Sequence, residues 1–168
     1  MRISVENLPA RGLELTASKS DSWALSAAVD ALGAEPIALA VHVTVYQLDS
    51  AVRVRGSATA EFHTACHRCA GAISVAVGGD LDLIYRTEGT VPLELELEID
   101  DMDVGFFDGR GLEMDAVIAE YFALQLPDVL RCDSSSVKRL STSSACALPV
   151  QDPGPNLTRR NPFAGIVL

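Results

Sequence analysis

The chain lacks any apolar run approaching the roughly 18 residues that a membrane-spanning helix needs. Its first 20 residues also lack the continuous apolar core of a signal peptide, because charged residues such as Arg2, Glu6 and Arg11 are spread evenly through them. We therefore expect no membrane association and a cytoplasmic location, where cysteine thiols stay reduced.

Basic residues are scarce. Only 13 Lys and Arg stand against 23 Asp and Glu in 168 residues, which gives a net charge of -10. An acidic chain is a poor default candidate for electrostatic binding of nucleic acid or of an anionic membrane. Hydrophobic residues make up 48% of the chain, which excludes wholesale disorder, and the length suits one domain of ordinary size.

Motifs of the common nucleotide-binding and hydrolytic folds are missing. The sequence contains no G-x-G-x-x-G, no P-loop, no H-E-x-x-H and no G-x-S-x-G. The three histidines, His42, His63 and His67, have no serine or acidic companion at a spacing that is typical of a catalytic triad. The sequence therefore predicts a protein that is not an enzyme and has no small-molecule substrate.

Cysteine is also sparse, but two of the four cysteines form a C-x2-C pair in Cys66-His67-Arg68-Cys69, here called the knuckle. A turn of this kind lets both thiolates reach one tetrahedral zinc ion. The predicted ligands of such a site are Cys66, Cys69, Cys132 and Cys146, with His63 and His67 as substitutes. The alternative is that no metal binds, the knuckle being a remnant and the other cysteines buried small apolar residues.

Alternation of apolar and polar residues predicts long antiparallel strands in the first half of the chain. Residues 37–45 alternate strictly, a second run extends from Val52 to Phe62, and Asp49-Ser50 between them marks a hairpin. Apolar residues alternate again over 73–77, so the knuckle is predicted to link two antiparallel strands. Gly78-Gly79 is predicted to break this last run.

Two helices and two short strands complete the predicted elements. Short strands at 3–5 and 13–15 are joined by a turn at 9–12. Ser20-Asp21-Ser22 supplies the N-cap of a helix that ends at Gly33. A second helix is predicted from Gly111 through Leu124, with an apolar stripe that includes Leu124, and Pro127 stops it.

These elements predict a single α+β domain over residues 1–130. Its main part is antiparallel sheet, either a sandwich or a partly open barrel, with two helices. Residues 131–168 are rich in Ser and Pro and are predicted to form an irregular loop and tail that packs back near Cys66 and Cys69.

Acidic residues are concentrated in one segment, since residues 80–128 hold fourteen acids and two bases. Within it, residues 93–99 alternate strictly, so that Glu94, Glu96 and Glu98 would share one face of a strand. One interpretation is a solvated strand face that prevents edge-to-edge aggregation. The other is a docking face for a strongly basic partner such as a ribosomal protein.

Four stretches of the chain carry a family resemblance. They are Ile3-Ser4-Val5 with the later Trp23 helix, the segment from Gly56 to the knuckle with its C-x-R-C ending, the run DGRGLEMDAVIAEYFALQLP over residues 108–127, and Cys132 shortly after it. In the third stretch the matching positions are Asp115, Glu120, Leu124, Leu126 and Pro127. Together these stretches resemble the YceD family, the large ribosomal RNA subunit accumulation proteins. The chain departs from that family where serines replace most of the cysteines that follow the Leu-Pro pair.

The resemblance implies a non-enzymatic role in ribosome biogenesis that supports accumulation of large-subunit ribosomal RNA. The implied partner is a basic large-subunit ribosomal protein or pre-ribosomal RNA. A zinc site of the family type would require all four cysteines of this chain. Candidate partner-binding residues are Arg53, Arg55 and Arg68 for RNA and Glu94, Glu96 and Glu98 for a basic protein. The alternative function is that of a β-barrel protein that binds a small apolar ligand.

Overall fold

A computed structural model describes residues 1–49, 51–87 and 104–140 of the chain. Its strands are β1 (Arg2–Ser4), β2 (Leu13–Ser18), β3 (Pro36–Gln47), β4 (Ala51–Ala65), β5 (Ala72–Thr87), β6 (Val104–Phe107), β7 (Gly111–Glu113) and β8 (Val137–Arg139). Its helices are α1 (Ser22–Leu32) and α2 (Met114–Gln125), and a 3-10 turn covers Val5–Asn7.

The main sheet has the order β2-β3-β4-β5-β6, with β8 also paired to β5. Strands β2 to β5 run antiparallel, whereas β6 runs parallel to β5. The predicted α+β class with a mainly antiparallel sheet and two helices is confirmed. The described strands do not close into a barrel, so they do not form the enclosed chamber that the ligand-binding alternative requires.

The hairpin of β3 and β4 follows directly from the alternating pattern. Val41, Val43 and Val45 point to the buried face, and the residues between them point outward. The backbone N–H of Leu48 donates to the carbonyl of Ala51 at 2.8 Å, which closes the turn at the predicted position.

Strand β5 continues through Gly78, so the predicted break at this position is wrong. Gly78 has a φ of +94°, and a Cβ atom there would overlap the carbonyl oxygen of Ala58 on β4. Glycine therefore allows a close approach of two paired strands, rather than ending one of them.

Helix α1 has the predicted bounds, and its last turn is capped by Gly33 in the left-handed region with φ +66°, whose N–H donates to Val29 O at 2.9 Å. Helix α2 begins at Met114 and not at Gly111, because residues 111–113 pair with β1 as strand β7. The predicted stripe is also wrong at Leu124, which is 74% exposed.

The core lies between one face of the main sheet and the two helices, which pack against each other. Its largest fully buried side chains include Val41, Val43, Val45, Val52, Val54, Phe62, Ile73, Val75, Met114, Ile118 and Phe122. Within the described residues, neither helix has the length and apolar character needed to cross a membrane.

Two sequence predictions fall outside the described residues. These are the strand with Glu94, Glu96 and Glu98, and the tail from residue 141 onward, which includes Cys146. The first ten residues of the predicted tail, 131–140, are described, and they lie beside the knuckle with β8 paired to β5.

Candidate metal centre

The knuckle lies between the end of β4 and the start of β5. Its turn is closed by two backbone hydrogen bonds of 2.8 Å, from Ala70 N–H to the carbonyl of Cys66 and from Cys66 N–H to the carbonyl of Gly71. Ala70 has a φ of +55°, the left-handed conformation that reverses the chain. This tight turn is what brings Cys66 and Cys69 to the same side.

The segment that follows α2 is bound to the knuckle by reciprocal contacts. The backbone N–H of His67 donates to the carbonyl of Leu130 at 2.8 Å, and Leu130 N–H donates to Nδ1 of His67 at 3.2 Å. Further along, Leu140 N–H donates to the carbonyl of Ala72 at 3.1 Å. Residues 130–140 therefore run along the knuckle, and Cys132 lies within this segment.

Three cysteine sulfurs converge at this place. The Sγ atoms of Cys66, Cys69 and Cys132 all lie within 4.8 Å of one another. Four sulfurs bound to a zinc ion at about 2.3 Å are spaced about 3.8 Å apart, so a cluster within 4.8 Å is compact enough to supply three of the four ligands. This group could hold a metal ion. Within the described residues, His63 and His67 are not members of the group.

The environment of Cys66 favours its charged form. Burial of the side chain opposes ionisation, but hydrogen bonds to the sulfur from the backbone N–H groups of Arg68, Cys132 and Cys69, and from the Cys69 thiol, outweigh it and lower the pKa of Cys66 to about 6. A thiolate is the form of cysteine that binds metal ions.

Basic side chains collect around the cysteine cluster. We call the surface formed by Arg68 and Arg131, which line a cavity beside the knuckle, and by Arg139, which contacts Cys132, the basic knuckle face. Arg131 is paired with the Asp133 carboxylate at 2.7 Å, and Nε of Arg139 donates to the carbonyl of Cys132 at 3.3 Å. A shallow cavity of about 460 Å³ opens here, lined by His67, Arg68, Val129 and Arg131. This face is therefore a cationic region on an acidic chain.

The three arginines that the sequence groups as RNA-binding candidates do not lie together. Arg53 and Arg55 are near the first end of β4, whereas Arg68 is beyond its last residue. The guanidinium of Arg53 donates two hydrogen bonds of 2.6 Å to Asp82 on β5, and Nε of Arg55 is 3.8 Å from the same carboxylate. The Arg53 guanidinium, which was predicted to bind RNA, is therefore already hydrogen-bonded to Asp82.

Sequence analysis did not find the contact that brings Cys132 to the knuckle. His67 and Leu130 are 63 residues apart, and neither belongs to a motif that predicts their pairing. The one feature of the sequence that points to the basic knuckle face is the basic composition of residues 131–139. The C-x2-C spacing pointed to Cys66 and Cys69, Cys132 was predicted as one of the two remaining thiols and by the family resemblance, and the fourth predicted ligand, Cys146, lies outside the described residues.

The fold and the cysteine cluster define a class of protein, an open antiparallel sheet with a thiol centre at one end. A family model described as "Large ribosomal RNA subunit accumulation protein YceD" matches residues 54–166, a span that contains the knuckle, α2 and Cys132. The chain belongs to this family, as its sequence motifs predicted, and the family description assigns it a role in accumulation of large-subunit ribosomal RNA. No curated protein and no solved structure matches the chain significantly.

Proposed function

We propose that the chain is a non-catalytic, cytoplasmic factor in assembly of the large ribosomal subunit, and that its basic knuckle face binds precursor ribosomal RNA. One observation carries this proposal: basic side chains collect around the cysteine cluster of a chain that is otherwise acidic. Local positive charge next to a rigid backbone turn attracts phosphate groups even when the net charge of the protein is negative.

A zinc ion bound by Cys66, Cys69 and Cys132 would hold this face in place. The ion would be structural, since it joins two segments that are far apart in the sequence. Cys146 is the proposed fourth ligand. Leu140 is held at Ala72 next to the knuckle, and the six residues from there to Cys146 span up to about 20 Å when extended. That reach is sufficient to deliver the fourth sulfur.

The described residues support a non-catalytic role. One Thr–His–Glu arrangement among the described residues lies on the outer face of the sheet, where Nδ1 of His42 is 3.3 Å from Oγ1 of Thr16 and Nε2 of His42 is 3.4 Å from the Glu14 carboxylate. Glu14 and His42 are more than half exposed, so bulk water surrounds the group. Such a setting lacks the preorganised, water-excluding surroundings that catalysis needs.

The experiment measures binding of a labelled single-stranded RNA from the large-subunit precursor as salt is varied. In the double variant Arg68→Glu and Arg131→Glu, which changes the two arginines that line the cavity, we expect affinity to fall about tenfold or more. The slope of log affinity against log salt should fall by about 1.4, because each lost phosphate contact contributes about 0.7. In cells, the wild-type chain should co-sediment with precursor large subunits, and the variant should not.

The matched control is Arg11→Glu with Arg110→Glu, which makes the same change in net charge away from the knuckle. It should retain most of the RNA affinity and the co-sedimentation. Equal loss in both double variants would mean that only total charge matters and would contradict the proposal. Absence of the wild-type chain from precursor particles during active growth would contradict the assembly role itself.

A further inference from the structure

The cavity beside the knuckle has a lining that attraction for phosphate alone does not explain. Its volume is about 460 Å³, which is within the range of sites for small ligands, and His67, Arg68, Val129 and Arg131 line it. Val129 is apolar and yet 55% exposed, and His67 adds an exposed aromatic ring. The cavity therefore combines two cationic side chains with a flat ring and an apolar contact.

Two hydrogen bonds to a single residue hold His67 in place. Its backbone N–H donates to the carbonyl of Leu130 at 2.8 Å, and its Nδ1 accepts from the N–H of Leu130 at 3.2 Å. Because a backbone N–H is only a donor, Nδ1 carries no hydrogen, and the neutral ring has its hydrogen on Nε2. The fold thus fixes both the orientation of the ring and the nitrogen that can donate to a ligand.

Arg131 adds further donors to the same cavity. Its Nη2 donates to the Asp133 carboxylate at 2.7 Å, which holds the guanidinium in place. Its Nε is buried and has no hydrogen-bond partner among the described residues. A buried donor without a partner is costly, so a ligand that brings an acceptor to this side chain gains affinity. The polar side chains that line the cavity, those of His67, Arg68 and Arg131, thus offer a ligand donors only.

This set of groups fits an unpaired nucleobase better than it fits a phosphate group alone. Bases of single-stranded RNA stack on histidine rings and on the planes of arginine guanidinium groups, and hydrogen bonds read their edges. Guanine presents two adjacent acceptors, N7 and O6, for which arginine is a common partner. Adenine and cytosine present an amino donor on the corresponding edge, which would face the donors of the cavity.

We propose that this cavity binds the base of one unpaired guanosine in RNA. Nε2 of His67 and the guanidinium of Arg131 donate to N7 and O6 of the base, which packs on Val129. The positive charge of Arg68 attracts the adjoining phosphate. The inference rests on the proposed RNA-binding function and adds to it a preference for one base.

The experiment compares two labelled RNAs by fluorescence anisotropy with the full, reduced chain. One RNA is an oligoadenosine, and the other is the same oligomer with a single guanosine at its centre. We expect the second RNA to bind about tenfold more tightly, as one bidentate contact to a base allows. Replacement of that guanosine by 7-deazaguanosine, which lacks the N7 acceptor, should remove most of the preference.

The diagnostic variant is His67→Asn, because Oδ1 of asparagine can still accept from Leu130 N–H while the ring and its Nε2–H are lost. This variant should bind the two RNAs with nearly equal affinity. Its melting temperature and the salt dependence of its RNA binding should be those of the wild type. The matched control is His63→Asn, which changes an exposed histidine of β4 that does not line the cavity, and it should keep the preference for guanosine.

The outcomes separate this inference from the proposed function. Equal affinity of the wild type for both RNAs would overturn the inference, and so would a guanosine preference that persists in His67→Asn or with 7-deazaguanosine. Equal loss of the preference in His63→Asn would also overturn it. RNA binding at the basic knuckle face would survive these results if Arg68→Glu with Arg131→Glu still weakens binding of both RNAs. A wild-type chain that binds neither RNA would contradict both proposals.

Discussion

At the scale of single residues, Asp82 binds the side chain of Arg53, a predicted RNA-binding residue. Its carboxylate accepts both hydrogen bonds of the Arg53 guanidinium at 2.6 Å, and these bonds lower the pKa of Asp82 below its ordinary value although partial burial acts in the opposite direction. Arg53 therefore serves as a cross-strand partner within the sheet. An arginine that appears available in the sequence is already engaged in the fold.

The Asp82–Arg53 pair gives a prediction on pH dependence. A carboxyl whose pKa is lowered by folding stabilises the fold above its ordinary pKa and loses that contribution as pH falls through the folded-state value. Asp82→Asn should therefore lower the free energy of unfolding at pH 7 by about 0.5 kcal/mol, since the pair is half exposed. Denaturant titrations of wild type and variant should converge as pH falls through the lowered folded-state pKa of Asp82.

The exposed helical residue Asp30 supplies the control for this measurement. Asp30→Asn removes the same charge without a described arginine partner, and it should change stability by less than Asp82→Asn at pH 7. A difference between Asp82→Asn and wild type that persists unchanged at pH 2 would contradict the assignment of the effect to the ionised pair.

Cys66 gives a second prediction at the residue scale, on metal binding. Freshly purified, reduced wild-type protein should contain about one zinc per chain, and Cys66→Ser should lose most of it, because a hydroxyl is a poor zinc ligand. Zinc should raise the melting temperature of the wild type by several degrees and leave that of the variant unchanged. Elemental analysis and thermal melts with zinc or chelator provide the measurements.

A serine from the same segment makes the comparison specific. Ser135→Ala changes an exposed hydroxyl near Cys132 and should keep both the zinc content and the zinc-dependent rise in melting temperature. A reduced wild-type chain that binds no zinc from a stoichiometric solution would show that the three sulfurs pack together without a metal.

At the scale of secondary-structure elements, non-local pairing decided the places where local patterns failed. Residues 111–113 were predicted to form the first turn of a helix, but they pair with Arg2–Ser4 and form a strand instead. Gly78-Gly79 was predicted to break a strand, but β4 pairs with β5 across the whole of this region. Periodicity in a short window contains no information on such partners.

The two glycines Gly78 and Gly33 allow the same substitution to be compared in two elements. Gly33→Ala should cost about 1 kcal/mol, because the left-handed φ is strained but no atom lies within contact distance of the new methyl group. Gly78→Ala should cost about 2–4 kcal/mol, because its Cβ would also overlap the backbone of Ala58. Chemical denaturation measures both, and equal costs would contradict the close approach of β4 and β5.

At the scale of the whole molecule, charge is distributed unequally. The basic knuckle face lies at the β4–β5 turn, whereas residues 80–128 hold fourteen acidic residues and two basic ones. The net charge of -10 describes neither region. RNA binding at the knuckle face is therefore compatible with a chain that is acidic as a whole.

Metal removal gives the prediction at this scale. Cys66 and Cys132 belong to the hydrophobic core, but the β3–β4 hairpin and α2 are packed mainly by other core residues, so chelation should leave both of these elements folded. Residues 66–71 and 130–140 should lose protection, because sulfur ligation joins these two segments. Hydrogen exchange with and without chelator measures both regions. Uniform loss of protection over the chain would mean that the fold as a whole depends on the metal.

The sequence by itself determined the elements whose cause is local. The valine alternation of β3, the Gly33 cap of α1, the hairpin turn and the knuckle between two antiparallel strands were all predicted and confirmed, because each depends on neighbouring residues. The family was likewise predictable from short motifs. Tertiary structure alone decided that Leu130 pairs with His67 and so brings Cys132 to the knuckle, and that Asp82 engages Arg53. Each of these depends on contacts between residues far apart in the chain, and their geometry is fixed only when the sheet and helices pack together.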